Sequence, residues 1–534
     1  MSPAPSPSKK ALLAALEKGP VVRMYRPKGL GDCFLLALPP ADDPRFVLID
    51  CGVFFATKGG SARMCEIAED LADVTGEHLH LLVATHEHWD HLSGFQFAKK
   101  TFDRFTVDEV WVAWTEDPEH PLAQELKRKK ARTTRAVAAA AAHLRGLADS
   151  EADALEGVLG FDLGVFDPDE LAGRALGASG TRGQMEYVCT NFGTPRFLKP
   201  GGEPIRWPDH GVRFYVLGPP EDRELLERSD PSEATSEVYE TRLALSSENA
   251  FAVAALGAVE PGGLTADEEE LLARSQPFDR THRLPLDAMD ADGVDNDDSD
   301  DDPLAGPRDF FRRHYGFSAA DDDAHGPRWR RIGAAWMTAA SQLALQLNDD
   351  TNNTSLALAI ELVADGRVLL FPADAQVGNW LSWHQHTWRR DDGREVDAEE
   401  LLSRTVLYKV GHHGSHNSTL RERGLELMNH PELVAMIPVD STQADAKEWA
   451  MPFGPLAERL REKTSGRILR ADDGLPERPG NVTEADWKRF AGRVKEDDLW
   501  VQYQVPGGDG VAPANAAPAA ACPCCGCPNP DRDA

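Results

Sequence analysis

The stretch His86-Glu87-His88-Trp89-Asp90-His91 places three imidazoles and one carboxylate within six residues. It follows the largely apolar run 79–84 and precedes Leu-Ser-Gly at 92–94, a context that predicts a buried strand, a tight loop and the start of a helix. Zinc binds imidazole nitrogen and carboxylate oxygen at about 2.0–2.2 Å. The stretch therefore predicts a metal site, whereas a polar surface loop would not require these residue types together.

The direction of the side chains suggests how these ligands are divided. Residues two apart on an extended loop point the same way, so we expect His86 and His88 to share one ion. Asp90 and His91 would then face away from that pair and hold a second ion. The hexapeptide alone thus predicts a centre for one or two cations.

The length and net charge of the chain limit its domain count and the partners it can bind. The chain has 534 residues, enough for one large domain with insertions or for two to three domains. A formal net charge of −31 argues against general adhesion to nucleic acid or anionic membranes, while a local basic groove is compatible with it. No apolar run approaches the ~20 residues that cross a bilayer, and the N-terminal segment is too weak for a secretory core. We therefore expect a cytoplasmic protein with no membrane partner.

Four motifs carry a family resemblance. His-x-His-x-Asp-His after a strand resembles the signature of the metallo-β-lactamase fold hydrolases. The turn Gly-Leu-Gly-Asp-Cys at 29–33, and a strand ending in Asp50-Cys51-Gly52, are similar to the soluble hydrolase domain of ComEC-type DNA-uptake competence proteins. Lys-Val-Gly-His-His-Gly-Ser at 409–415 resembles the last motif of that branch. The likeness covers about residues 20–475, as motifs in the right order.

The resemblance implies a fold. It predicts an α/β (α+β) protein built as an αββα four-layer sandwich of two mixed sheets with flanking helices, interrupted by insertions. The metals would lie at one edge, where strand-end loops meet. Asp374, at the end of the predicted strand in 367–375, matches the carboxylate that bridges two cations. Asp50 would orient a ligand histidine without binding metal itself.

The paired histidines are implied to divide two roles. One of them should bind the second metal, and we favour His412 because it is the first residue off the strand. His413, with Ser415, would then contact a substrate phosphate or protonate a leaving group. Sequence leaves both assignments open. Asp90 is expected to act as both ligand and proton acceptor, so the predicted catalytic residues are Asp90, His413 and Ser415.

One position departs from the larger family. Asn352 and Asn353 stand where many lactamase-fold enzymes place a metal-binding histidine, which resembles the competence-protein branch. The first metal thereby loses an expected imidazole, and Asn353 is expected to support the site without binding metal. The site could be weaker, empty, or completed from an insertion by His120, His210 or His314.

Composition suggests a domain organisation. Residues 1–20 are expected to form a flexible arm with a short helix, 21–505 the lactamase-fold domain, and 506–534 a disordered Cys-rich tail. Insertions are expected at about 120–200 and 259–330. The segment 287–302 holds nine aspartates, and because its faint likeness to a calcium loop lacks a closing Glu, a solvated acidic loop is favoured.

Three other segments could bind partners. A predicted helix at 124–147 carries six basic residues between 127 and 135, which form either a solvated face or a phosphate-contacting patch. Four thiols at 522–527 could bind a soft metal, be redox-active or lipidated, or matter little. A protein partner would bind through this tail or the acidic loop. The scattered Cys33, Cys51, Cys65 and Cys189 are expected to be reduced.

The motifs favour a hydrolase that uses a metal-activated water. The expected cofactor is Zn²⁺, as one or two ions, with Mn²⁺ as the alternative. The expected substrate is a phosphodiester, so that the protein is a phosphodiesterase or nuclease, and the net charge favours a small or single-stranded substrate. A second hypothesis is a non-catalytic or regulatory module that binds a partner, which the missing imidazole supports. A lactam or thioester hydrolase is a weaker third.

Overall fold

A computed structural model describes residues 5–146, 159–162, 181–207, 211–228, 310, 314, 338–447 and 449–507. These residues form a mixed α/β structure of the α+β kind, with helices packed beside mixed sheets. Within these ranges, no helix combines the length and apolar character that a membrane span requires. The coarse fold class predicted from the sequence is therefore confirmed.

The chain divides into two compact units. Unit 1 comprises Met1–Glu116, Met185–Arg242 and Asn352–Ala534, and unit 2 comprises Asp117–Gln184 and Leu243–Thr351. The segments of unit 2 overlap the two predicted insertions. Both sheets and every motif of the family resemblance belong to unit 1.

The strands of unit 1 are short and mostly buried. They are β1 (Val21–Tyr25), β2 (Cys33–Leu38), β3 (Arg45–Cys51), β4 (His78–Ala84), β5 (Thr106–Ala113), β6 (Pro195–Leu198), β7 (Ile205–Trp207), β8 (Val212–Gly218), β9 (Ala357–Leu362), β10 (Arg367–Phe371), β11 (Thr387–Arg389), β12 (Glu395–Asp397), β13 (Thr405–Lys409), β14 (Val434–Ile437), β15 (Ile468–Arg470), β16 (Val494–Glu496) and β17 (Trp500–Gln504).

The described helices include one long helix and several short ones. They are α1 (Pro7–Leu16), α2 (Gly60–Thr75), α3 (Trp89–Phe97), α4 (Lys99–Phe102), α5 (Pro121–Gly146), α6 (Thr181–Asn191), α7 (Arg223–Leu226), α8 (Thr338–Asn353), α9 (Val377–Trp383), α10 (Ala398–Ser403), α11 (Ser441–Ala446), α12 (Gly454–Lys463) and α13 (Glu484–Ala491).

The strands form two large mixed sheets and a small hairpin. The first sheet has the order β16-β17-β1-β2-β3-β4-β5-β6, and its strands from β3 to β6 run parallel. The second has the order β15-β14-β13-β10-β9-β8-β7, in which β10, β13, β14 and β15 run parallel. Strands β11 and β12 pair separately.

Alternation along the strands builds two apolar cores. In β2, Phe34 and Leu36 belong to a cluster that contains residues of both sheets, and Phe34 meets Phe371 of the second sheet edge to face at 5.9 Å. The intervening Leu35 belongs to a second cluster, which includes Met64 of α2 and Leu92 of α3. Successive side chains point to opposite faces of a strand, so a wholly apolar strand can serve both cores.

The topology gathers four loops at strand ends. Parallel strands β3 and β4 end at Cys51 and Ala84, and parallel strands β10 and β13 end at Phe371 and Lys409. Loops that leave the carboxyl ends of parallel strands collect at one edge of a sheet, the usual location of functional sites in α/β sheets. Each of the four loops carries a motif residue of the sequence analysis.

Candidate metal centre

The hexapeptide forms the predicted strand, loop and helix start. His86 and His88 follow β4, and α3 begins at Trp89, so that Asp90 and His91 lie in its first turn. The side chains of His86, His88, Asp90 and His91 are all at most 1% exposed. Four polar side chains so deeply buried require partners, because burying an unpaired polar group costs free energy.

The structure brings distant residues to this hexapeptide. His86, His91 and Asp374 each offer a ligand atom within 4.8 Å of the others, and so do the trios Asp90, Asp374, His413 and Asp32, Asp50, His91. Asp374 is common to the first two groups. His91 Nε2 lies 3.1 Å from Asp374 Oδ2, and His413 Nε2 lies 2.9 Å from Asp90 Oδ2. This arrangement places a carboxylate between two sets of donors.

His91 lies elsewhere than the alternation rule predicted. Its ring centroid is 4.2 Å from that of His86, so the two residues face the same cluster rather than opposite sides. His88 lies beside His86, with its Nδ1 3.0 Å from His86 Nε2, but it joins no ligand group among the described residues. The alternation of an extended loop ends at Trp89, where α3 begins, and the helical turn brings His91 back towards His86.

The geometry of the paired histidines favours His413, and not the sequence-based choice His412, as the ligand. His413 Nδ1 donates to the Pro438 carbonyl oxygen at 2.6 Å, which fixes the ring and directs Nε2 at Asp90. The backbones of His412 and His413 both lie in the left-handed region, with φ values of 41° and 52°. His412 joins no ligand group among the described residues. His413 is therefore the better ligand of the two.

His412 pairs with Ser415 instead. Its Nδ1 lies 3.1 Å from Ser415 Oγ, and Ser415 Oγ also donates to Asn417 Oδ1 at 3.1 Å. The His412 backbone N–H donates to Asp374 Oδ1 at 3.0 Å, so the residue supports the carboxylate through its main chain. Burial lowers the pKa of His412 to about 4, and its imidazole is neutral at pH 7.

Asp50 orients the hexapeptide. Its carboxylate accepts hydrogen bonds from the Thr85 backbone N–H at 2.8 Å and from the Thr85 hydroxyl at 2.7 Å. Its Oδ2 also lies 2.8 Å from His91 Nδ1. A carboxylate that accepts from the inner nitrogen of a histidine fixes the ring and leaves Nε2 directed at the site. This geometry suits the supporting role expected of Asp50.

Asn353 braces the loop that follows Asp374. It ends α8, and its Oδ1 accepts from the backbone N–H groups of Gln376 and Asn379, both at 3.2 Å. Its Nδ2 donates to the Arg228 carbonyl oxygen at 2.8 Å. These contacts suit the supporting role expected of Asn353. Of the three histidines considered as replacements, His120 and His314 belong to unit 2 and His210 lies outside the described residues.

Two residues of the cluster, Lys409 and Asp32, were not predicted from the sequence. Lys409 Nζ lies 2.5 Å from Asp32 Oδ2, 3.1 Å from Asp374 Oδ1 and 2.9 Å from the Ala373 carbonyl oxygen. Both Lys409 and Asp32 are about as buried as the histidines, at 1% and 2% exposure. Each stood inside a quoted motif, the Lys-Val-Gly-His-His run and the Gly-Leu-Gly-Asp turn, and this was the signal that could have indicated them.

The charges of the cluster suit a cation. Burial alone would raise the pKa of Asp374, but His91 and Lys409 outweigh it and hold the pKa well below its ordinary value. Burial alone would lower the pKa of His91, but the surrounding carboxylates, Asp374 foremost, hold it well above its ordinary value. Asp90 Oδ1 is buried without a hydrogen-bond partner in the described structure. Imidazole and carboxylate donors around an orphaned carboxylate oxygen fit a divalent metal.

These shifts predict how pH affects the metal-stripped protein. The raised pKa values of His91 and His413 contribute stability that is complete below the unfolded value of about 6.5 and is lost as pH rises through the folded values. The lowered values of His86 and His412 contribute stability above about 6.5 that is lost as pH falls. Urea unfolding in chelator should therefore give a stability maximum near pH 6.5. A steady rise to pH 8.5 would contradict the assignment.

Helix α5 of unit 2 carries the basic run. Lys129 Nζ lies 3.0 Å from Asp350 Oδ2, and Lys130 Nζ lies 2.9 Å from the buried Asp162 Oδ1. Two of the six basic residues are thus engaged by carboxylates of the same unit, which favours an ordinary ion-paired face over a phosphate patch. The acidic loop at 287–302 and the Cys-rich tail lie outside the described residues.

Comparisons with models of protein families, with curated proteins and with solved structures gave no match to this chain.

Proposed function

We propose that this chain is a metal-dependent hydrolase, a phosphodiesterase or nuclease of the metallo-β-lactamase fold related to the ComEC-type branch. One observation carries the proposal: Asp374 and His413 meet His86, Asp90 and His91 in a single buried cluster. Two mixed sheets that share one apolar core support the four-layer sandwich of that fold. Helices α2 and α3 against the other face of the first sheet support it further.

The chain's own residues take distinct roles in this proposal. A bound zinc or manganese ion would supply Lewis acidity and lower the pKa of a water to about 7. The residues that would hold the metal are His86, His88, Asp90, His91, Asp374 and His413. Asp90 has one oxygen without a hydrogen-bond partner among the described residues, so it is the proposed proton acceptor. Asp50 and Asp32 hold the surrounding side chains in place.

His412 and Ser415 are the pair proposed to contact substrate. They are slightly more exposed than the ligands, at 5% and 4%, and their side chains lie within hydrogen-bond distance of each other. The His412 imidazole is neutral at pH 7, and it would donate a hydrogen bond to a phosphate oxygen from Nε2 in the tautomer whose Nδ1 accepts the Ser415 hydroxyl. The negative net charge favours a small phosphodiester or a single strand over bulk duplex.

A regulatory module is the second candidate. Asparagines stand at 352 and 353, where an imidazole would complete the first metal site. In this alternative the protein binds a partner and hydrolyses nothing, with the acidic segment 287–302 or the cysteine tail as the contact. A lactam or thioester hydrolase remains the third candidate.

Metal content and activity separate the candidates. Purified protein should contain zinc or manganese by plasma mass spectrometry and should hydrolyse bis(p-nitrophenyl) phosphate or single-stranded DNA. His88→Ala should lose at least ~100-fold in activity, because a lost ligand weakens an interaction worth several kcal/mol. His430→Ala is the matched control, since His430 caps the Glu432 N–H outside the cluster.

Each result has a defined consequence for the candidates. Metal-free, inactive wild-type protein would favour the regulatory module. Equal activity in His88→Ala would show that a contaminating hydrolase had been measured.

A further inference from the structure

Asn352 is buried without a partner. The side chain is 0% exposed, and neither its Nδ2 nor its Oδ1 has a hydrogen-bond partner in the described structure. An unsatisfied buried polar group costs roughly 1–3 kcal/mol, so such groups are rare and call for an explanation. The neighbouring Asn353 offers a contrast, because both its amide atoms are hydrogen-bonded.

The position of Asn352 suggests what its partner is. It lies in the last turn of α8, and its carbonyl oxygen accepts from the Ser355 N–H at 3.0 Å. The Ser355 hydroxyl accepts from the Asp374 N–H at 3.2 Å. The Leu356 N–H donates to the Thr85 carbonyl oxygen at 2.9 Å. Residues 352–356 thus contact the residue before His86 and the shared carboxylate Asp374.

The neighbouring Asn353 already supplies the side-chain contact from this turn to the loop at 376–379. Asn353 directs its amide to the loop at 376–379, where two backbone N–H groups bind its oxygen. Consecutive residues of a helix project about 100° apart, so Asn352 cannot serve that loop as well. It is left as a buried amide on the segment that joins the two ligand-bearing loops.

We propose that Asn352 supplies its amide oxygen as a further ligand of the cation held by His86. This inference rests on the proposed metal site and completes it with a residue of the chain itself, without a histidine from an insertion. An amide oxygen is a neutral, hard donor, and zinc prefers imidazole nitrogen to it. The first metal is therefore held at moderate affinity, and an imidazole at position 352 would tighten zinc binding.

Zinc titration of the chelator-treated full chain by calorimetry tests the ligand role, with the thermal shift on zinc addition as a second readout. Asn352→Leu should weaken zinc at one site by at least ~10-fold, the cost of disturbing even a supporting partner of a metal ligand. Asn352→His should tighten zinc at that site. Asn348→Leu is the matched control, because Asn348 lies one turn earlier in α8 and also has a buried, unpartnered Oδ1.

The melting temperature of the metal-free variants shows whether a loss of zinc affinity is caused by misfolding. An apolar side chain of similar size in place of an unsatisfied amide is near neutral or stabilising, so metal-free Asn352→Leu should melt no lower than wild type. If Asn352→Leu fails to fold, the zinc affinity of Asn352→His tests the ligand role of Asn352.

The outcomes separate this inference from the proposed function. Unchanged zinc affinity in both Asn352 variants, with loss of binding in His88→Ala, would overturn the role of Asn352 and leave the metal site standing. A wild-type protein that binds no zinc would overturn both.

Discussion

Asp374→Asn is expected to reduce phosphodiester hydrolysis by about 10³-fold or more and to remove bound metal. Asp374 is the residue common to the ligand groups that contain His86 and His413, so its loss weakens both at once. Charge stabilisation by a metal is worth several kcal/mol, and each ~1.36 kcal/mol corresponds to a tenfold change in rate. Steady-state kinetics on bis(p-nitrophenyl) phosphate and metal analysis of the same sample measure the two effects.

Asp392→Asn serves as the control for Asp374→Asn. Asp392 is a carboxylate with its side chain about half exposed, and the same chemical change there should leave rate and metal content within about twofold of wild type. Retention of both activity and metal by Asp374→Asn would contradict the assignment of Asp374 as a shared ligand.

Lys409→Met is expected to destabilise the metal-stripped protein by about 3–5 kcal/mol. Lys409 is the cation between Asp32 and Asp374, and its removal leaves both carboxylates buried without it. Burial alone would lower the pKa of Lys409, but the two carboxylates outweigh this and hold it above its ordinary value, so the ammonium is charged. Urea unfolding followed by circular dichroism measures the change in the free energy of unfolding.

Two comparisons sharpen the Lys409 experiment. Lys495→Met, on exposed strand β16, should change stability by no more than about 0.5 kcal/mol. Asp32→Asn combined with Lys409→Met should recover part of the loss, because one uncompensated charge is removed with the other. A Lys409→Met protein as stable as wild type would show that the ammonium contributes no net stabilisation to the cluster.

The strand ends of the site could be predicted from local pattern alone. The predicted ends of the apolar run before His86, of the strand that contains Asp50 and of the strand near Asp374 agree with the structure within three residues. These predictions succeed because a short apolar run followed by polar or glycine residues specifies a buried strand and its exit loop. The resemblance then predicted that Asp374 and the histidine pair belong with the hexapeptide, which local pattern cannot do.

The choice between His412 and His413 depended on long-range contacts. The carbonyl that fixes the His413 ring belongs to Pro438, after the next strand of the sheet. This contact is not visible in the run His-His-Gly-Ser. The sequence also could not show that Lys409 is buried between two carboxylates, because these belong to distant segments of the chain.

The predicted direction of the His91 side chain was wrong for a local reason. The alternation rule applies to extended backbone, but α3 begins at Trp89, two residues before His91. From that point the period changes from two to 3.6 residues. A sequence that switches from strand-like to helical spacing inside a motif therefore needs the helix start to be located before its ligands are divided between ions.

Anomalous diffraction at the zinc absorption edge, from crystals of the zinc-loaded protein, would show whether Asp374 is a shared metal ligand. We expect at least one strong peak inside the cluster, about 2.0–2.2 Å from a carboxylate oxygen of Asp374 and within the same distance of His86 Nε2 or His413 Nε2. Fully loaded protein with no peak beside Asp374, or with zinc bound only at other residues, would contradict this assignment.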